Sequence, residues 1–210
     1  MSHICAIINS TKGGYRVKNI SSGIADMLWT QGIIQEDDID KCKYGIDIFI
    51  SSFLEIISIL VIAAILGNFI ETVFLFVFFI PLRIYAGGYH ADTKLKCYFI
   101  SLVMYGFSYT LANITPSEIF VLINVIGTLF SLIIVLIKAP IIHINKNVND
   151  IERRNYRKIS IEICLIETTI ILLLNMAIPK NIIVTYLTVG QVSVAISMLA
   201  AIAKKHIVGK

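Results

Sequence analysis

Charge is what this 210-residue chain has least of. Asp, Glu, Lys and Arg make up only 15% of it, against about a quarter in a soluble domain. Proline is nearly absent, with four residues, and there is a single tryptophan. The four cysteines (Cys5, Cys42, Cys97, Cys164) are scattered and form no C-x-x-C pair, so neither a zinc site nor a disulfide framework is expected. No metal or other cofactor is expected either. The four histidines are equally dispersed. No basic patch is interleaved with aromatics, so nucleic acid is excluded as an expected partner. The first residues lack the basic start and long apolar run of a signal peptide, and insertion is expected to rely on the first true span. There is no internal repeat, which argues against a transporter built from inverted halves.

What the chain has is apolar surface. Hydrophobic residues are 57% of it and the mean hydropathy is +0.82, so lipid must solvate much of the molecule. A membrane helix needs about 20 mostly apolar residues. Six such segments stand out, at about 46–66, 69–84, 98–114, 118–138, 159–178 and 182–203. The expected fold is therefore all-α, a polytopic membrane helix bundle. All but one of the 18 Lys and Arg fall on one side of the alternating topology, Lys180 being the exception. The positive-inside rule makes that side cytoplasmic, with both termini on it. Residues 19–35 place Ile20, Ile24, Met27, Leu28 and Ile34 near one helical face, which reads as an amphipathic helix at the inner surface. The expected organisation is a cytoplasmic N-terminal segment over 1–45, a transmembrane domain over 46–203 and a cytoplasmic tail over 204–210.

The stretch RIYAGGYHADTKLKC, Arg83 to Cys97, is the chemical anomaly. It places three cations, a glycine pair, a histidine and a cysteine between two apolar spans. His90 titrates near neutral pH and suits a general base. Cations beside Cys97 stabilise a thiolate. A His–Cys pair oriented by a carboxylate is an acyl-transfer pattern, and Asp47 lies at a matching depth. In one straight helix His90 and Cys97 would be about 10 Å apart along the axis, so contact requires a break, which Gly87 and Gly88 permit. The same residues also suit an ordinary connector whose lysines only orient the protein. The acidic residues Glu55, Glu162 and Glu167 inside spans leave a small peptide transporter or exporter open, and the 19–35 helix leaves a non-enzymatic assembly or sensor subunit open.

The wider string PLRIYAGGYHADTKLKC resembles the signature of the accessory gene regulator B (AgrB) family. Arg83, Gly87, Gly88, His90 and Cys97 match it residue by residue, KYGIDIF (43–49) resembles the stretch before the family's first span, and the basic loop over 138–160 is similar to the family's. The family carries glutamate where this chain has Asp47. The resemblance implies a bacterial plasma-membrane cysteine endopeptidase with its connector in the cytoplasm. It would remove the C-terminal part of a quorum-sensing peptide precursor and promote thiolactone or lactone closure. It implies Cys97 as nucleophile and His90 as base, with Asp47, Arg83, Gly87 and Gly88 in support. The implied partners are the peptide precursor, the lipid bilayer and, in keeping with the family, a second copy in a homodimer.

Overall fold

The computed structural model describes residues 20–89, 93–141 and 149–208. Among these residues seven α-helices follow one another: α1 (Ile20–Thr30), α2 (Ile39–Ile65), α3 (Phe69–Ala86), α4 (Lys94–Ile114), α5 (Ser117–Lys138), α6 (Asp150–Ala177) and α7 (Ile182–Val208). Among the described residues there is no strand, only one parallel bridge between Gly87 and Ile141. Six helices are long and apolar enough to cross a membrane. The protein is an all-α polytopic bundle, as the hydropathy pattern predicts.

The chain divides into two compact units, Met1–Leu54 and Glu55–Lys210, with the division inside α2. In the first unit α1 ends at Thr30, earlier than its apolar pattern suggests. Gly32, with φ of +71°, donates to the Trp29 carbonyl, and Ile33 donates to that of Leu28. This is a Schellman stop, which needs a residue that tolerates the left-handed region. Ser21 and Ala25 are the buried positions of α1, while Ile20, Ile24 and Met27 are exposed. The apolar face is thus turned outward, as a helix lying on lipid requires. A short 3-10 turn, Glu36–Asp38, leads into α2.

The second unit is organised around α7. Two thirds of its span (67%) is buried, against 17–33% for α3 to α6, and it packs on α3, α4, α5 and α6. Its surface is that of a membrane protein: large apolar side chains such as Val103, Ile133 and Leu173 point outward, and polar ones are buried. Without a hydrophobic drive between helices in lipid, close packing and interhelical hydrogen bonds hold the bundle. Gln191 of α7 is the hub. Thr128 donates to its Oε1, and its Nε2 donates to Thr168 Oγ1 at 3.0 Å and to the Cys164 carbonyl at 3.2 Å. Ser131 donates to its main-chain carbonyl at 3.0 Å. One level away Asn124 and Asn175 join α5 to α6 at 3.2 Å. Near the α2–α3 turn, Tyr105 donates to Asn68 Oδ1 while Asn68 Nδ2 donates to Tyr186 Oη at 2.7 Å.

Three helices start earlier than hydropathy predicts, and α2 is one of them, beginning at Ile39 and not near 46. α6 begins at Asp150, not near 159, because Asn149 and Glu152 form a reciprocal capping box. Such a cap satisfies first-turn donors regardless of hydrophobicity, so the basic stretch after it is helical. α4 begins at Lys94, not near 98, and this matters for the site.

Candidate active site around Cys97

The C-terminal end of α3 runs into a turn built on two glycines. Gly87 caps the helix with φ of +75°, and its N–H donates to the Arg83 carbonyl at 3.1 Å. Gly88 follows with φ of +145°. Neither conformation suits a residue with a Cβ, and neither has room for one. A Cβ on Gly87 would lie 2.1 Å from the Ile141 carbonyl oxygen. One on Gly88 would lie 2.1 Å from Arg83 Nη1 and 2.6 Å from Ser197 Oγ.

These close approaches stitch three parts of the second unit together. Ile141, in the segment after α5, donates to the Ala86 carbonyl at 2.9 Å. The Tyr89 N–H donates to the Ser197 carbonyl at 2.9 Å and to Ser197 Oγ at 3.1 Å, tying the turn to α7. Arg83 Nη2 donates to the Tyr89 carbonyl. Lys204 Nζ stands 5.1 Å from the centre of the Tyr89 ring, within cation–π range. The guanidinium is therefore held on one side, while Arg83 Nη1 is buried without an acceptor among the described residues.

On the far side of the connector, Thr93 is the N-cap of α4 and its Oγ1 accepts from the Lys96 N–H at 3.3 Å. The Cys97 N–H donates to the Thr93 carbonyl at 3.1 Å, so Cys97 lies in the first turn. That end of a helix carries partial positive charge and favours an anion. Cys97 is half-buried, beside the exposed Lys96, and it interacts electrostatically with Arg83.

The structure thus brings Arg83, Gly87, Gly88 and Cys97 to one end of the second unit. His90 lies outside the described residues. Asp47 belongs to the first unit, on α2. The space beside Gly88 is occupied by Arg83 and Ser197 of the chain itself. Sequence reasoning missed the cap and the clasp. Thr93, three residues before Lys96 and ahead of an apolar run, carried a legible N-cap signal. Ser197 and Tyr89 carried none. Of the intramembrane acids, Glu162 faces outward 3.9 Å from Lys158, and Glu167 is buried with one carboxyl oxygen unpartnered. Among the described residues no group of three or more His, Cys, Asp or Glu could hold a metal.

The accessory gene regulator B family model matches residues 21–200. The chain belongs to that family. This AgrB family member is 28% identical over 109 residues to an AgrB-like protein of Clostridium perfringens, covering 52% of this chain and 57% of that protein. It is 36% identical over 74 residues to the FsrB protein of Enterococcus faecalis, covering 34% of this chain and 31% of that protein. An AgrB-like protein of Listeria monocytogenes is 28% identical over 123 residues, covering 58% of this chain and 59% of that protein. The matched region spans from about a third to just under three fifths of these relatives' lengths. No solved structure matches the chain.

Proposed function

We propose that this AgrB family member is a membrane cysteine endopeptidase that processes the precursor of a cyclic autoinducing peptide. The observation that carries the reading is the position of Cys97. It stands in the first turn of α4, electrostatically coupled to a clasped arginine, within the string that resembles the family signature. A helix N-terminus and a guanidinium both stabilise a thiolate.

In the proposed reaction His90 takes the Cys97 proton and Sγ attacks a precursor carbonyl. The C–S bond forms, the peptide C–N bond breaks, and His90 returns the proton to the departing amine. The retained fragment stays as a thioester on Cys97. An internal thiol or hydroxyl of that fragment then attacks the thioester carbonyl, closes a thiolactone or lactone, and its proton goes to the Cys97 sulfur as that leaves. Arg83 Nη1, buried without an acceptor among the described residues, would offer its N–H to the carbonyl oxygen as charge develops on it. Both termini and the Arg83–Cys97 connector face the cytoplasm in this reading, on the strength of the cation distribution.

Co-expression with the precursor, followed by mass analysis, tests the proposal. Cleavage is expected to disappear in Cys97→Ala and in His90→Ala while both variants insert normally. Normal cleavage by both Cys97→Ala and Cys97→Ser refutes it. Peptide flux into vesicles that persists after Cys97 is alkylated would favour the exporter reading instead.

A further inference from the structure

Away from the Cys97 site, a cleft opens between the C-terminal end of α5 and the first turns of α6. Lys138, Arg153, Arg154 and Arg157 line it, together with Ile137 and Pro140. Four cations gathered in one cleft repel one another, and in a protein with so few charges that arrangement calls for a counter-charge. The cations are not equivalent. Arg157 Nη2 donates to the Leu136 carbonyl at 3.1 Å and Nη1 to the Ala139 carbonyl at 3.5 Å, so it serves as the C-cap of α5. The side chains of Lys138, Arg153 and Arg154 are exposed and have no acidic partner among the described residues. The nearest acid in sequence, Glu152, is occupied in the capping box with Asn149.

Position decides which anion fits. The span of α5 ends at Lys138 and that of α6 begins at Asp150, so the cleft stands at the level where a bilayer gives way to headgroups. Its remaining wall is apolar, and Ile137 continues along α5 into Ile133 and Leu136, all exposed. A ligand that satisfies both halves has an anionic head and a hydrocarbon tail running up the helix. We propose that this cleft is a binding site for the phosphodiester headgroup of an anionic phospholipid, with one acyl chain along the Ile133–Ile137 face of α5. Lys138, Arg153 and Arg154 contact the phosphate, and Arg157 holds the end of α5 in place.

The site is tested on the purified full chain in detergent by native mass spectrometry. Phosphatidylglycerol, phosphatidylcholine, inorganic phosphate and an oligoglutamate peptide are titrated separately. Wild type is expected to retain phosphatidylglycerol in preference to phosphatidylcholine. The triple variant Lys138→Gln/Arg153→Gln/Arg154→Gln is expected to bind it about a hundredfold more weakly, since each interfacial cation contributes several-fold. The single Arg154→Gln variant is expected to lose about fivefold, which keeps the test valid if the triple variant folds poorly. Inorganic phosphate should displace the lipid only at far higher concentration, because it lacks the acyl chain. Equal retention of both lipids, or unchanged retention in the single and triple variants, overturns the proposal. So does displacement by phosphate at concentrations equal to the lipid's, which would assign a free anion. Tight oligoglutamate binding without phosphatidylglycerol binding also overturns it, and assigns an acidic peptide.

Discussion

Replacing Gly88 by alanine should both destabilise the second unit and disable the Cys97 site. Two separate costs add. The φ of +145° at this position is one that L residues rarely adopt, which costs about 1–3 kcal/mol. The added methyl would meet Arg83 Nη1 at 2.1 Å and Ser197 Oγ at 2.6 Å, and overpacking of this kind costs about 1–3 kcal/mol more. Neither neighbour can yield without loss. Arg83 is tied to the Tyr89 carbonyl, and Ser197 takes the Tyr89 N–H. A loss of about 3 kcal/mol is expected, read as a lower unfolding midpoint by circular dichroism in mixed micelles. Precursor cleavage should fall with it, and stay low at temperatures where the variant is still folded. A double-mutant cycle separates the two costs. In an Arg83→Ala background the guanidinium clash is gone while that with Ser197 stays, so Gly88→Ala should cost about 1 kcal/mol less than in wild type. If the cost is the same in both backgrounds, Arg83 does not fill the space beside Gly88 and the clasp is wrong.

Three further outcomes are expected. Gln191→Leu removes four interhelical side-chain hydrogen bonds, to Thr128, Thr168, the Cys164 carbonyl and the Cys164 sulfur. At about 0.6 kcal/mol each in a membrane this should lower stability by about 2 kcal/mol in the same unfolding assay. Thr93→Ala deletes the cap of α4 at a cost of about 1 kcal/mol, and alkylation of Cys97 by iodoacetamide at neutral pH should slow several-fold. Unchanged alkylation would mean that the helix end does not influence the thiol. Gly106→Ala places a methyl where nothing lies within 4 Å, inside α4, and should raise stability by about 0.5–1 kcal/mol through helix propensity alone.

How much of the fold could be read in advance depends on which forces set each boundary. The spans over 69–84 and 118–138 agree with α3 and α5 to within two residues, because the lipid itself requires an apolar run of that length. The start of α6 was missed by about nine residues, that of α2 by about seven and that of α4 by about four. The errors at α6 and α4 arise where capping by Asn149, Glu152 or Thr93 extends a helix through polar sequence. Hydropathy is blind to such caps, although their residue types are visible. The α1 stop at Gly32 is of the same kind. At the site, Arg83, Gly87, Gly88 and Cys97 were identifiable as a chemical anomaly between greasy segments, but the reason for each glycine was not. They were expected to permit a break that lets His90 meet Cys97; in the described residues Gly87 caps α3 and Gly88 makes room for an arginine and a serine 109 positions further along the chain.

By itself the sequence determined the solvent, the number of crossings and the cysteine to suspect, because each follows from composition, length or local spacing. Only the tertiary structure decided that α7 is the central helix, that Gln191 joins three helices, and that Ser197 and Ile141 clamp the glycine turn. It also decided that four cations from the ends of two helices line one cleft. Those facts depend on which distant residues meet, and contacts between separate helices leave no periodicity in the chain. They are set by close packing and hydrogen bonding in lipid, where polar groups must find partners on other helices.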